Sequence, residues 1–458
     1  MGATTARNLA RGPHTPLGER HFLRQCTAAA MAARPMTAVR PRADPAAARP
    51  RALAVFGVRS FRFQWPADLV TSWAFEMETL ILGWFVLVET GSVLQLTLFA
   101  SLQFLGTLIA PMFGVVGDRI GHRNLLCFMR ASYLTLASVL MVLAFTGLLA
   151  APHVFVIGAL MGIVRPSDLV MRNSLVGETM PPVLLMTAMS IARTTADSAR
   201  IAGALAGAGI VAILGMGPAY AVICSLYAVS FLLTLGVASG TGGRASATAR
   251  ASPWRDLREA AAYVRTTPHL LAAMCLAFLI NFTALPLMGG LLPYVARDVY
   301  GMDQTGLGYL SASFAFGALL GSLALSRVGS AIRPARIMLV ASLVWYGLIL
   351  AYAAIDRPAL GIPVLMAAGF VQSLSLVPMA VMLLRNAAAH LRGRVMGLRM
   401  LAVYGMPLGL LGAGPLIALV GFPAMVTIYG LAGMGVTLLI AIRWRRHLWP
   451  ADAPANAR

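Results

Sequence analysis

The sequence predicts an all-α polytopic membrane protein in which twelve transmembrane helices form two six-helix bundles. Three observations lead to this prediction. Charged residues are only 11% of the 458 residues and the mean hydropathy is +0.78, whereas soluble domains carry about 25% charged residues. Apolar runs long enough to span a bilayer, which takes about 20 residues, recur twelve times along the chain. A longer polar gap separates the sixth run from the seventh.

The spacing of the apolar runs sets the predicted domain organisation. The spans are expected at residues 65–88, 93–117, 124–147, 153–177, 185–214, 217–239, 269–293, 304–327, 336–355, 359–384, 394–420 and 422–443. A basic, disordered cytoplasmic tail (1–62) precedes the first bundle (63–239). A cytoplasmic linker with a short amphipathic helix (240–268) leads to the second bundle (269–443), and a cytoplasmic tail (444–458) follows.

The arginines indicate how the chain is oriented. With the amino terminus inside, the outer loops contain only Arg297 and Arg357. The inside segments contain Arg119, Arg123, Arg172, Arg244, Arg250, Arg255, Arg258, Arg265, Arg327, Arg333, Arg336, Arg385, Arg392, Arg394, Arg443, Arg445 and Arg446. Because positive charge concentrates in cytoplasmic loops, we expect a multi-pass protein of the cell inner (plasma) membrane with both termini cytoplasmic.

The net charge of +20 does not indicate nucleic acid as a partner, since the arginines lie in short loops and in the tail. Residues 1–62 hold eleven arginines and only two acids, Glu19 and Asp44. This bias loosely resembles an organelle transit peptide, and a start at Met31 or Met36 is an alternative. The four cysteines lack metal-ligand spacing or a disulfide framework. No hydrolytic, redox or phosphate-binding pattern is present, so neither an enzyme nor a cofactor is expected.

The stretch GVVGDRIGHR, residues 114–123, forms the predicted cytoplasmic turn between the second and third spans. It resembles the signature Gly-x-x-x-Asp-Arg-x-Gly-Arg-Arg/Lys of the major facilitator superfamily. The matching residues are Gly114, Asp118, Arg119, Gly121 and Arg123, and His122 stands where an arginine is usual.

The resemblance implies that this turn gates the cytoplasmic side, with Asp118 facing a helix amino terminus or an arginine of the other bundle. We assign gating to Gly114, Asp118, Arg119, Gly121, Arg123 and Arg172. The alternative is that the arginines only fix the topology and that Asp118 caps a helix.

The first, seventh, eighth and eleventh spans resemble the subgroup of enterobactin-type siderophore exporters and related drug exporters. The segments that carry this resemblance begin at FRFQWPADLVTSWAFEMETL, LLPYVARDVYGMDQTG and LRGRVMGLRMLAVYG. Members of the subgroup often have an acid at the position of Phe75, whereas the acids here are Glu76 and Glu78. The resemblance implies drug-resistance-type efflux by proton antiport.

Glu76 and Glu78 lie about 16 to 20 Å beyond Trp65 along the first span. Ionisable groups at this depth are functional candidates. The two side chains are about 200° apart on a helix, so at least one should point into the bundle. We expect Arg165 to pair with one of them.

The charges within the predicted spans of the first bundle predict a proton carrier. The acids Asp68, Glu76, Glu78, Asp168 and Asp197 outnumber the bases Arg165, Arg172, Arg193 and Arg200 by five to four. A carboxyl without a counter-charge in a low dielectric is expected to be protonated part of the time. The candidate order is Glu78, Glu76 and Asp197, with Arg165 tuning the carrier. The alternative is a neutral structural network in which Asp68 faces water.

Polar and aromatic side chains near the middle of the spans are candidates for substrate binding. The assigned residues are Trp84, Arg200, Asn281, Phe282 and Gln372. The pair Gly203 and Gly207 is a GxxxG pattern that lets two helices approach closely. No strand precedes it, so it is not a dinucleotide-binding loop.

The predicted function is proton-coupled export of a small amphiphilic compound, drug-like or siderophore-like, by alternating access. The predicted partners are this substrate, protons and the lipid bilayer, and the protein is expected to be a monomer. One alternative is transport of an organic anion with Arg165 and Arg200 as its ligands. Another is a membrane sensor or assembly scaffold that transports nothing.

Overall fold

The computed structural model describes residues 52–238, 253–328, 333–388 and 391–448, and these residues are helical apart from short connections. Predictions that concern residues 1–51, the linker 239–252 and the carboxy-terminal tail beyond 448 lie outside the described residues. The main helices are α1 (Arg59–Thr90), α2 (Val93–Leu102), α3 (Ala110–Ile120), α4 (His122–Phe145), α5 (Ala151–Thr179), α6 (Pro182–Leu214), α7 (Met216–Leu235), α8 (Pro253–Thr266), α9 (Pro268–Thr283), α10 (Gln304–Val328), α11 (Pro334–Ala353), α12 (Pro358–Asn386), α13 (Arg392–Ala402), α14 (Gly405–Val420) and α15 (Phe422–Arg443).

The predicted multi-pass membrane architecture is confirmed, but the number of uninterrupted spans is smaller than twelve. Within the described ranges, ten helical segments are long and apolar enough to cross a membrane. The number is eleven if the pair Arg258–Thr266 and Pro268–Thr283, bent by 113°, counts as one span.

Two predicted spans are broken by local chemistry. The second, predicted at 93–117, consists of α2, a 3₁₀ turn at Leu105–Thr107 and then α3. Pro111 lies at the start of α3, where its missing amide hydrogen does no harm. The seventh, predicted at 269–293, begins as α9 and continues in the short helices Leu285–Gly289 and Leu292–Tyr294. Pro286 and Pro293 cannot donate backbone hydrogen bonds, which explains these interruptions.

Buried apolar side chains form two large clusters. One is built from residues between Ala74 and Val237. The other is built mostly from residues between Val264 and Leu448. The two halves of the chain also touch one another: Arg297 donates to the backbone oxygen of Leu87 at 2.7 Å, and Ser101 donates to that of Pro407 at 3.2 Å.

Helices α1 and α6 pack backbone to backbone, as the GxxxG pattern predicts. A Cβ atom added to Gly203 would lie 2.8 Å from the Cβ of Glu76, and one added to Gly207 would lie 2.9 Å from the Cα of Met77. Only glycine allows this approach. The contact places the acidic part of α1 beside Arg200 of α6.

Candidate functional site

Glu78 lies in the interior of the amino-terminal half, with only 2% of its surface exposed. Helix α1 turns it toward α7, where the hydroxyl of Tyr227 donates to Glu78 Oε2 at 2.9 Å. Tyr220 and Cys224 lie on the same face of α7 and are close enough to interact with the carboxyl. Glu78 Oε1 is buried without a hydrogen-bond partner. No arginine of the described chain lies within ion-pairing distance, 4.0 Å, of Glu78.

The predicted ion pair of Arg165 with Glu76 or Glu78 is not formed. Arg165 donates from Nη1 to Gln103 Oε1 at 2.6 Å and from Nη2 to the backbone oxygen of Phe75 at 2.5 Å. Its guanidinium lies 4.2 Å from the centre of the Phe75 ring. An aromatic face, an amide and a carbonyl therefore satisfy this arginine in place of a carboxylate.

Glu76 occupies the opposite face of α1, as the rotation of about 200° predicts. Its side chain is 39% exposed, and its Oε1 lies 3.7 Å from Arg200 Nε. Because one acid is half-exposed and paired while the other is buried and unpaired, the two neighbouring glutamates have different environments.

Arg130 of α4 is a buried charged residue that the charge analysis of the sequence missed. It is fully buried and donates to Asp68 Oδ1 and to Thr234 Oγ1. With Arg130 included, the five acids within the predicted spans of the amino-terminal half face five bases, so the predicted excess of one acid is wrong. The signal was available, since Arg130 lies well inside the predicted span 124–147.

Two further arginines in these spans are paired with aspartates. Arg172 contacts Asp168 Oδ2 through Nε, and its Nε lies 3.5 Å from Asp68 Oδ1. Arg193 Nε lies 3.3 Å from Asp197 Oδ2 on the same helix, where residues four positions apart are neighbours. Equal numbers of acids and bases therefore do not produce complete pairing, because Glu78 and Arg165 each lack an ionic partner among the described residues.

Residues 114–123 span the junction between α3 and α4, and the chain turns at Gly121. Gly121 joins α3 to α4 with φ +88°, a conformation that glycine favours. Arg123 donates to the backbone oxygen of Leu235 at 2.5 Å, and His122 Nδ1 lies 2.6 Å from Glu178 Oε1. The side chain of Arg119 is exposed.

Three other residues were assigned to gating: Gly114, Asp118 and Arg172. Gly114 and Asp118 belong to α3, but the carboxyl of Asp118 is outside the part of the structure that is described. Arg172 is turned into the interior of the amino-terminal half, beside Asp68 and Asp168. The gating roles remain predictions.

The residues assigned to substrate binding are not gathered in one described pocket. Phe282 stacks between Phe278 and Tyr429. It lines an apolar groove of about 360 Å³ whose other walls are Met274, Cys275, Phe278, Leu279 and Val436. Asn281 is buried and donates to the backbone oxygen of its own helix at Ala277. Gln372 is buried, Trp84 packs against the carboxy-terminal apolar cluster, and Arg200 is half-exposed.

Comparison with protein-family models agrees with the resemblance that residues 114–123 carry. A family model described as Major Facilitator Superfamily matches residues 65–407. No curated protein matches the chain by sequence.

Three solved structures are similar in fold. The human organic anion transporter MFSD10 (TETRAN) is 17% identical with a TM-score of 0.59, covering 83% of this chain and 99% of its own. The nucleoside transporter NupG is 14% identical with a TM-score of 0.65, covering 85% and 100%. A POT family transporter in complex with 5-aminolevulinic acid is 13% identical with a TM-score of 0.66, covering 86% and 97%.

Proposed function

We propose a transport function for this chain on the premise that it belongs to the Major Facilitator Superfamily, whose family model matches well over half of its residues. The chain is a multi-pass membrane transporter by family and fold. Within that class, we propose that it couples the movement of a small amphiphilic compound to protons, with Glu78 as the proton carrier. The exporter resemblance of the first, seventh, eighth and eleventh spans supports export, and the arginine distribution supports cytoplasmic termini.

One observation carries the proposal: Glu78 is the buried mid-span carboxyl without an arginine partner among the described residues. A neutral carboxyl at this place keeps the hydrogen bond from Tyr227 at 2.9 Å and carries no charge that needs a partner. An ionised one would need a counter-charge, because an isolated charge in a low dielectric is costly. Protonation and deprotonation of Glu78 therefore change which arrangement of the helices is stable.

Arg165 is the positive charge that could pair with Glu78 after Glu78 loses its proton. It is close enough to interact electrostatically with Glu78, and it is held by the Phe75 carbonyl and by Gln103. To pair with an ionised Glu78, it must give up at least one of these contacts. Since Gln103 follows α2 and Arg165 belongs to α5, this exchange would move two helices relative to α1.

The turn at 114–123 completes the proposed cycle. Residues Gly114, Asp118, Arg119, Gly121 and Arg123 would hold the predicted cytoplasmic side closed in one state and release it in the other. The anchor of Arg123 on the last turn of α7 supports this, because α7 also carries the tyrosine that contacts Glu78.

The test uses the full chain in proteoliposomes with an imposed pH gradient and a panel of lipophilic cations and carboxylates. We expect Glu78→Gln to abolish gradient-driven flux and to leave substrate exchange without a gradient intact. Glu76→Gln is the matched control, because its acid is half-exposed and paired with Arg200, and it should retain gradient-driven flux. Flux that ignores the gradient for every compound, or full coupling in Glu78→Gln, contradicts the proposal.

A second candidate function is transport of an organic anion. The observation in its favour is the half-exposed Arg200, whose contact with Glu76 is long at 3.7 Å, so a substrate carboxylate could compete for it. Arg165 is the weaker ligand of the two predicted, since three groups already hold it. Competition by carboxylates rather than lipophilic cations, lost in Arg200→Gln, would favour this function over the first.

A further inference from the structure

We propose that protons reach Glu78 through the interior of the amino-terminal half, along a column formed by Asp68, Asp168, Tyr133 and Tyr227, and not through the path of the substrate. This inference rests on the proposed role of Glu78 as the proton carrier. It assigns a relay role to two tyrosines that the sequence did not single out.

The column begins at Asp68, near the predicted cytoplasmic end of α1. Its side chain is 15% exposed, so water can reach it. Asp68 lies ten residues before Glu78, a separation of about 15 Å along a helix. A proton must therefore be passed on by other groups.

Asp168 is the next group. Its Oδ2 is engaged by Arg172, which also lies 3.5 Å from Asp68 and so holds the two acids in one cluster. Its Oδ1 is buried without a hydrogen-bond partner. One oxygen of the buried acid is thus left to accept a hydrogen bond.

Tyr133 of α4 lies between this cluster and Glu78. The residue is fully buried, its hydroxyl has no hydrogen-bond partner among the described residues, and it is close enough to Asp168 to interact electrostatically. Its ring packs against that of Tyr227 at 5.7 Å between centres. Buried polar atoms of this kind are usually satisfied by internal water, which would join Tyr133 to Asp168 and to Tyr227.

Tyr227 completes the column, since its hydroxyl already donates to Glu78 Oε2. In the relay step, Tyr227 gives its hydroxyl proton to Glu78 and takes one from the bridging water. That water is reprotonated through Tyr133, which draws in turn on the water at Asp168. Asp168 reprotonates this water and takes its proton from Asp68, which Arg172 holds in the same cluster, and Asp68 takes one from external water. One proton thus enters at Asp68 and one arrives at Glu78, so no phenol remains ionised.

The surroundings of Glu78 leave this route open. The ionisable groups close to its carboxyl are Arg165 from α5 and Tyr220, Cys224 and Tyr227 from α7. Arg165 lies over Phe75, whose ring packs against Tyr133 and Tyr227. Tyr220 lies seven residues before Tyr227 on α7, about 10 Å nearer the predicted outer side, away from Asp68.

The experiment compares Tyr133→Phe with Tyr220→Phe in proteoliposomes. Both variants remove one buried hydroxyl without a partner, but only the first removes a member of the column. We expect Tyr133→Phe to slow gradient-driven flux by on the order of 100-fold while substrate exchange without a gradient stays at the wild-type rate. Tyr220→Phe should match the wild type in both assays.

Two results would overturn the inference. One is gradient-driven flux at the wild-type rate in Tyr133→Phe while Glu78→Gln still abolishes coupling. The other is an equal loss of gradient-driven flux and exchange in Tyr133→Phe, which would show a packing role only. If Glu78→Gln itself leaves coupling intact, the proposed function fails first, so the two failures are distinguishable.

Discussion

Replacing Arg130 by methionine is expected to destabilise the protein strongly, because it breaks a buried charge contact. Removing one partner of such a contact costs about 3–5 kcal/mol. The cost of Arg130→Met should fall near the lower end, about 3 kcal/mol, since Asp68 is partly exposed and keeps Arg172 at 3.5 Å. Asp68→Leu should cost about 5 kcal/mol, because it leaves the fully buried Arg130 with only Thr234 and the backbone of Ser230.

The double variant measures the interaction energy between Arg130 and Asp68 separately from the contacts that each makes with other residues. Replacing both partners of a buried pair by apolar residues is often nearly neutral, so Arg130→Met with Asp68→Leu should cost much less than the sum of the single changes. The single costs sum to about 8 kcal/mol, so a double variant that costs about 1–3 kcal/mol corresponds to a coupling energy of about 5–7 kcal/mol, within the range for close charge pairs. Arg130→Lys is the matched control for charge, since it keeps the charge but cannot reach Asp68 and Thr234 together.

The assay is reversible unfolding in mixed detergent micelles by titration with sodium dodecyl sulfate, followed by tryptophan fluorescence. The free energy of unfolding is measured for the wild type, both single variants and the double variant. Additive single costs, or an Arg130→Met variant as stable as the wild type, would refute the argument that this pair stabilises the amino-terminal half.

Two further predictions concern glycines. Gly207→Ala places a methyl group 2.9 Å from the Cα of Met77 and should lower the free energy of unfolding by about 1–3 kcal/mol. The control Gly209→Ala meets nothing within 4 Å and should leave the free energy of unfolding unchanged. Equal costs of the two changes would contradict the close contact. Gly121→Ala forces a Cβ onto φ +88° and should cost about 1–3 kcal/mol with reduced transport in the vesicle assay, whereas Gly177→Ala, with open space around it, serves as its control.

The sequence was sufficient for the membrane class and the family. Low charge content and recurrent apolar runs predict many spans, and the Gly114–Arg123 signature predicts the superfamily that the family model confirms. The count of spans was less predictable. Hydropathy records how apolar a segment is but not whether its helix continues, so the breaks near Pro111 and Pro286 were not predicted.

The candidate site was predicted only in part. Helical rotation predicted that Glu76 and Glu78 face different ways, and Glu78 is the buried one. The partner of Arg165 was not predictable, because the Phe75 carbonyl and Gln103 compete for the guanidinium as backbone and side-chain acceptors that no charge count includes.

The sequence by itself determined which charges lie within the predicted spans of the amino-terminal half, five acids and five bases. Only the tertiary structure decided which of them meet. Electrostatic pairing falls off steeply with distance in a low dielectric, so a difference of a few ångströms in helix packing leaves Arg130 with Asp68 and leaves Glu78 with a tyrosine. A neutral total thus coexists with one carboxyl that has no ionic partner, and that carboxyl is the one on which the proposed function depends.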